Sequence, residues 1–252
     1  MACPPTDNIY LHGALLEFRA SFARDRRQFD DVQLFLEQAS KIYRDVDADH
    51  FLGSVRVIQS IDSFHRGHTE LAMQQLGEGL HHLDPSRGLG QSLFALHNAV
   101  VYLVELGHLR QAVYLFQQIE CLYFSSGRMM VLRAGWLKGQ IALKGGNTSG
   151  AIELLDRARR ELVERDLSYD AALAGLDLAL AYTEAKDSVA VMRLAEEMYP
   201  VFVAHDIPRE ASAALLQFYR SAEDLRVNSR MIHDTIAHLA ELRRRPAGAV
   251  PE

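Results

Sequence analysis

The chain has 252 residues, 48% of them hydrophobic and 24% charged, with seven prolines and sixteen glycines. That composition buries a sizeable core and excludes disordered, collagen-like and linker-rich classes. Lys and Arg total 27 against 33 Asp and Glu, a formal charge of −6, which argues against nucleic acid as the partner because phosphate attraction needs a basic surface.

Residues 1–10 lack a basic stretch followed by an apolar one, so no secretory signal is expected. No run approaches the roughly 18 apolar residues of a membrane helix, and the expected setting is the cytoplasm, without membrane contact. Cys3 and Cys121 are the only cysteines, too few for a disulfide framework.

One period runs along the chain. Phe64-His65-Arg66-Gly67-His68, followed by Ala72 and Leu76, returns as Val104-Glu105-Leu106-Gly107-His108, Ala112 and Phe116, and again as Gly146, Ala151 and Leu155. The turn positions continue at Lys186, with Val191 and Ala195, and at Arg226, with Met231 and Thr235. Counting backwards gives Arg27, Val32 and Leu36. The predicted units are 8–45, 49–84, 88–125, 128–166, 168–205 and 208–244, all within one repeat domain over 1–245, and a disordered tail follows at 246–252. Each unit reads as two amphipathic helices around a short turn, with apolar residues three and four apart. Asp84-Pro85-Ser86-Arg87-Gly88, Ser125-Ser126-Gly127 and Ile207-Pro208 mark the ends of units, and Arg243-Arg244-Arg245-Pro246 ends the last helix. Leu178 to Ala181 are continuously apolar, as in a helix packed on both sides. A lone pair cannot cover its own apolar face, so the pairs stack, with Ala72, Ala112 and Ala151 where helices approach closely.

A helix pair with Gly in the turn, Ala five residues later and a large apolar residue four beyond resembles the tetratricopeptide repeat. The family also places a small residue seven positions before the turn glycine. Ser60 and Gly139 match it; Val100 departs. These units are longer than the family's usual repeat of about 34 residues. The resemblance implies an all-α, right-handed α-solenoid of about six antiparallel helix pairs, about twelve helices, that serves as a protein-binding scaffold. The stretch from Tyr169 to Leu242 is similar to the C-terminal repeat region of many bacterial tetratricopeptide proteins, some of them regulatory and carrying a zinc-binding anti-sigma-like module. The His/Cys cluster of that module is missing here.

Catalytic patterns are not found. Lys144-Gly145-Gly146-Asn147-Thr148-Ser149-Gly150 has the glycines of a phosphate loop but neither their order nor a preceding strand, and reads as a turn. Ser86 to Ser92 fails in the same way. Eleven histidines contain no Cys-x-x-Cys or His-Glu-x-x-His pattern. Cys121, beside Ile119, Leu122, Tyr123 and Phe124, is expected to be a buried structural thiol. Glu196 and Glu197 diverge on a helix surface, and a Gly-x-Ser-x-Gly elbow is absent. The expectation is a protein that is not an enzyme and uses no metal or cofactor.

Groove positions of the tetratricopeptide pattern, taken by offset from each turn, are Ser54, Val57, Ile61 and Phe64, then Phe94, His97, Val101 and Glu105, then Arg133, Trp136, Gln140 and Lys144. Arg and Trp are frequent interface anchors. His97, Arg133, Trp136, Gln140 and Lys144 are therefore the candidate partner-binding residues, for an acidic or amphipathic peptide. A sole tryptophan in such a stack serves either this role or the inter-repeat core. The family's Lys/Asn carboxylate clamp is not reproduced. The last apolar face, Ile232, Ile236 and Leu239, packs on the preceding pair, forms a homodimer through the C-terminal helix pair, or accepts a partner. The expected function is a scaffold or adaptor in bacterial regulation or complex assembly that holds a peptide or protein in its concave groove. The alternative is a ligand- or peptide-sensing regulator of an effector such as a transcription factor or protease.

Overall fold

The computed structural model describes residues 8–26, 28–87, 89–202 and 228–244, with single positions between 215 and 222. These residues form eleven α-helices and no strand. In order they are α1 Ile9–Asp25, α2 Phe29–Asp45, α3 Asp49–His65, α4 Thr69–His82, α5 Leu89–Glu105, α6 Leu109–Tyr123, α7 Arg128–Lys144, α8 Thr148–Val163, α9 Ser168–Glu184, α10 Ser188–Phe202 and α11 Ser229–Arg244. A single 3-10 turn, Pro85–Arg87, lies between α4 and α5.

The pairing follows the period. α1 packs on α2, α3 on α4, α7 on α8 and α9 on α10, while α2, α4 and α8 also pack on the first helix of the next pair. Four turn positions read from the sequence hold a positive φ: Gly67 at 84°, Gly107 at 76°, Gly146 at 79° and Lys186 at 60°. Each closes its helix with the same two bonds. The turn residue's N–H reaches back three residues, to Phe64, Val104, Leu143 and Thr183, and the next N–H reaches back five, to Ser63, Leu103, Ala142 and Tyr182. This is the Schellman closure, which needs a left-handed residue that glycine supplies without steric cost. The following residue's carbonyl then opens the partner helix by accepting from Ala72, Ala112, Ala151 and Val191. Asn147 and Asp187 add side-chain caps, accepting from Gly150 N–H at 3.1 Å and Ala190 N–H at 2.9 Å. The glycine-rich 144–150 stretch is accordingly a helix-helix turn. Positions 27 and 226 lie outside the described residues, as do the end of unit five, most of the first helix of unit six and the tail.

Burial repeats with the same register. Ala72, Ala112 and Ala151 are fully enclosed, and Leu36, Leu76, Phe116, Leu155 and Ala195 lie in the core. At the small-residue position Ser60 is buried and bonds Val57 O at 2.7 Å. A Cβ on Gly139 would stand 2.7 Å from Leu155 Cδ2. Val100, the departure from the family pattern, is itself fully buried, so the α5 site has room for a branched side chain.

The structure divides into two compact units, one running to Phe116 and one spanning Gln117–Leu242. The first has a core of Leu16, Val32, Leu36, Tyr43 and Val55, continued by Val57, Leu76, Ala95 and Tyr102. Glu17 ties three of its helices together: Oε1 accepts from Tyr43 Oη at 2.7 Å and Oε2 from Ser54 Oγ at 2.6 Å. Burial raises the Glu17 pKa, and the two hydroxyls and His50 oppose that shift. The second unit is built on Leu155, Leu176, Leu178, Met198, Phe202, Ile232 and Leu239. Arg159, buried on α8, bonds Asp156 at 2.8 Å and reaches Glu197 on α10 at 3.2 Å.

Two expectations change. Cys121 is exposed: it stands two residues from both Ile119 and Tyr123, which are buried, and two residues turn a helix by about 200°. In α11 the buried residues are Ile232, Leu239 and Leu242, while Met231 and Thr235 are only half-buried, so the register of the last helix is one residue later than the offset predicts. Of the three fates open to the last apolar face, the burial of Ile232 and Leu239 in the core of their own unit supports packing on other helices of the chain, and nothing in the structure supports a homodimer there. Leu178 to Ala181 are continuously buried, as expected.

Two glycines of α7 make opposite predictions. Gly139→Val forces a side chain into Leu155 and is expected to cost about 1–3 kcal/mol. Gly135 has open space around its Cβ position, so Gly135→Ala is expected to stabilise by about 0.4–1 kcal/mol through helix propensity and unfolded-state entropy. Urea unfolding of both variants measures the two signs.

Candidate functional site

Arg133, Trp136, Gln140 and Lys144 follow spacings of three and four along α7 and so share one face. Trp136 is half-buried, with its ring packed against the core of the second unit. Its Nε1–H donates to Asp177 Oδ2 at 2.8 Å, and Gln140 Nε2 donates to the same oxygen at 2.8 Å. Asp177 projects from α9, which packs on both α7 and α8. Leu176 and Leu178 on either side are fully buried, whereas Asp177 keeps part of its surface open.

Its carboxyl is held above the usual aspartate range. Lost hydration is the dominant cause, opposed by the bonds from Trp136 and Gln140 and by the positive charge of Lys144 and the influence of His233. Arg133 and Lys144 are both exposed on the same α7 face. The site therefore combines an aromatic ring, an amide and a partly open carboxylate at its centre with two cations along its rim. It can accept hydrogen bonds, pair with acidic groups and cover an apolar side chain.

The structure brings three of the five predicted residues into one cluster, Trp136 and Gln140 by direct bonds and Lys144 through its charge. Arg133 extends the same face. His97 lies in the other unit, buried within α5, because it shares a helix face with Leu93 and Val100, four residues before and three after it, which are themselves buried. Asp177 is the residue that sequence reasoning missed. Its signal was present: an acid inside the apolar run Leu176-Asp177-Leu178-Ala179, about one period after both Trp136 and Gln140.

Among the described residues no group of three or more His, Cys, Asp or Glu is placed to hold a metal ion, and no helix is long and apolar enough to cross a membrane.

No family model matches the chain, and no curated protein matches it. Among solved structures it is similar to a Rap protein complexed with competence and sporulation factor, with a TM-score of 0.70 and 12% identity, covering 94% of this chain and 71% of that one. It is also similar to a signal-transduction ATPase with numerous domains that carries a tetratricopeptide-repeat sensor, from Pyrococcus horikoshii. There the TM-score is 0.61 at 12% identity, covering 95% of this chain and 37% of that one. The chain has a tetratricopeptide-repeat-like α-solenoid fold. In a solenoid of this type α7 and α9 are successive first helices, so the Trp136–Gln140–Asp177 cluster joins two neighbouring repeats on the first-helix side.

Because Asp177 binds its proton more tightly in the folded chain than in the unfolded one, stability falls as pH rises from the ordinary aspartate pKa through that of Asp177. Asp177→Asn keeps an oxygen acceptor for both donors and carries no charge. It is expected to be at least as stable near pH 7 and to lose this part of the pH dependence. Urea unfolding of both proteins from about pH 4 to pH 8 checks this, and parallel stability curves would contradict it.

Proposed function

We propose that this chain is a non-catalytic, cytoplasmic interaction scaffold that binds a peptide or protein segment along the first-helix face of α7, in bacterial regulation or complex assembly. The observation that carries the reading is the convergence of Trp136 and Gln140 on the carboxylate of half-buried Asp177, with Arg133 and Lys144 exposed on the same face. The exposed part of the indole covers an apolar side chain. The two cations pair with acidic residues, and Asp177 accepts from donors of the bound chain. Of the acidic or amphipathic peptide expected from the sequence, this favours the amphipathic one, since a carboxylate at the centre disfavours a second carboxylate directly above it. The acidic groups belong at the rim. The Rap protein solved with competence and sporulation factor supports the reading as a fold precedent.

Trp136 is the only tryptophan, so its fluorescence reports on the site directly. A panel of short synthetic peptides with one central apolar residue and acidic flanks is expected to change that fluorescence saturably. The double variant Arg133→Glu/Lys144→Glu, shown by circular dichroism to be folded, is expected to bind about tenfold or more weakly. Undiminished affinity in that variant, or no response to any peptide of the panel, sinks the proposal.

A second reading, a ligand-sensing regulator that controls an effector such as a transcription factor or protease, draws support from the tetratricopeptide-repeat sensor of the signal-transduction ATPase. It differs in expecting a concentration-dependent rise in Tm against a panel of metabolites and nucleotides. A flat response across the panel removes it.

A further inference from the structure

Helix α1 is apolar on two opposite faces. Gly13, Leu16, Ala20 and Ala23 are buried against the first unit. The opposite stripe, Leu11, Ala14, Phe18 and Phe22, follows spacings of three and four, and its large side chains stand open: Leu11 is 49% exposed, Phe18 69% and Phe22 51%. Scattered exposed apolar residues are ordinary, but a contiguous stripe marks an interaction surface.

The later repeats show what such a stripe is for. Counted by the period, Leu15 at the edge of the stripe corresponds to Val55, Ala95, Ala134 and Ala174, all buried. Phe18 corresponds to Ile58, Asn98, Leu137 and Asp177, each buried or half-buried. Phe22 corresponds to Tyr102 and Ala181, which are fully buried, and to Asp62 and Ile141, which are half-buried. In those pairs the first helix has the second helix of the preceding pair as a neighbour: α2 on α3, α4 on α5 and α8 on α9. Among the described residues no helix occupies that place on α1, so the face has the shape and spacing that receives a helix.

Charge selects the occupant. Arg19 and Arg26 border the stripe on one flank, both exposed, with their guanidinium groups over the Phe35 and Phe22 rings at 4.7 and 4.4 Å. The other side of α1 holds Glu17, which is turned inwards and engaged by Tyr43 and Ser54. An antiparallel two-fold pairing of α1 with its copy sets the arginine flanks against each other, which disfavours a second copy of this chain. We infer that the outer face of α1 docks an acidic amphipathic helix of a partner protein, its apolar side chains on Phe18 and Phe22 and its carboxylates beside Arg19 and Arg26.

The probe is a fluorescein-labelled helix-forming peptide of about 18 residues with Leu at spacings of three and four and Glu elsewhere. Its counterpart has Lys in place of Glu. Anisotropy titrations of the full chain are expected to show saturable binding of the acidic peptide at least tenfold tighter than of the basic one. Phe18→Glu/Phe22→Glu is expected to lose at least tenfold, and Arg19→Glu/Arg26→Glu to weaken binding and flatten its salt dependence. Arg133→Glu/Lys144→Glu is expected to leave this titration unchanged, which separates the α1 face from the α7 site. The substituted side chains are exposed, and matching circular dichroism and Tm confirm the fold. The inference is overturned by equal binding of the two peptides, by no binding, by self-association in sedimentation velocity that Phe18→Glu/Phe22→Glu abolishes, or by flotation with phosphatidylcholine–phosphatidylserine vesicles that the same variant abolishes.

Discussion

Among the described residues the apolar faces of a helix pair are covered in part by the next pair, and each unit is organised around that constraint. α2 packs on α3, α4 on α5 and α8 on α9, and the local geometry is set by a turn that repeats about every 40 residues. A left-handed residue closes one helix, the next residue's carbonyl opens the other, and an alanine or valine five positions after the turn lets the helices approach. The local bond pattern and the long-range packing thus specify the same register, which is how a sequence selects one stack over its slipped alternatives. Lys186 shows how strong that constraint is. It holds φ at 60° without being glycine, a conformation that costs a side-chain-bearing residue about 1–2 kcal/mol and that two backbone bonds and the Asp187 cap offset.

The site is a consequence of the same register. Successive first helices bring residues about one period apart face to face, so a carboxylate in α9 meets the indole and amide of α7. Two buried charges in the second unit show contrasting solutions. Arg159 is enclosed and engaged by Asp156 and Glu197, an arrangement that ties α8 to α10. Asp177 receives two neutral donors on a single oxygen, too little to offset its lost hydration, so burial still raises its pKa. A carboxylate left under-compensated on an otherwise well-packed face is what separates a binding surface from an inter-repeat clamp.

The repeat was legible because its signals are local and redundant: turn, alanine and apolar residue at fixed offsets, so that even the lysine at 186 was found by counting. The stripe on α7 was legible for the same reason. What failed depended on angle or on partners. Cys121 has apolar neighbours in sequence, yet the helix turns it away from Ile119 and Tyr123. His97 shares the groove offset of Trp136 but is turned inwards on the face of Leu93 and Val100. Asp177 was passed over because an isolated acid in an apolar helix gains meaning only when its partner one period earlier is known. In the last helix the offset match at Met231 and Thr235 is weaker than the core formed by Ile232 and Leu239, and the turn position that precedes it, 226, lies outside the described residues.

The central claim is that the first-helix face is organised by the bond between Trp136 and Asp177. The indole N–H resonance of this single tryptophan tests it most directly. The account predicts one indole proton, protected from solvent exchange, whose chemical shift follows a titration with a midpoint above the ordinary aspartate range and whose titration disappears in Asp177→Asn. An indole proton that exchanges as fast as free tryptophan, or that shows the same pH response in both proteins, would contradict it.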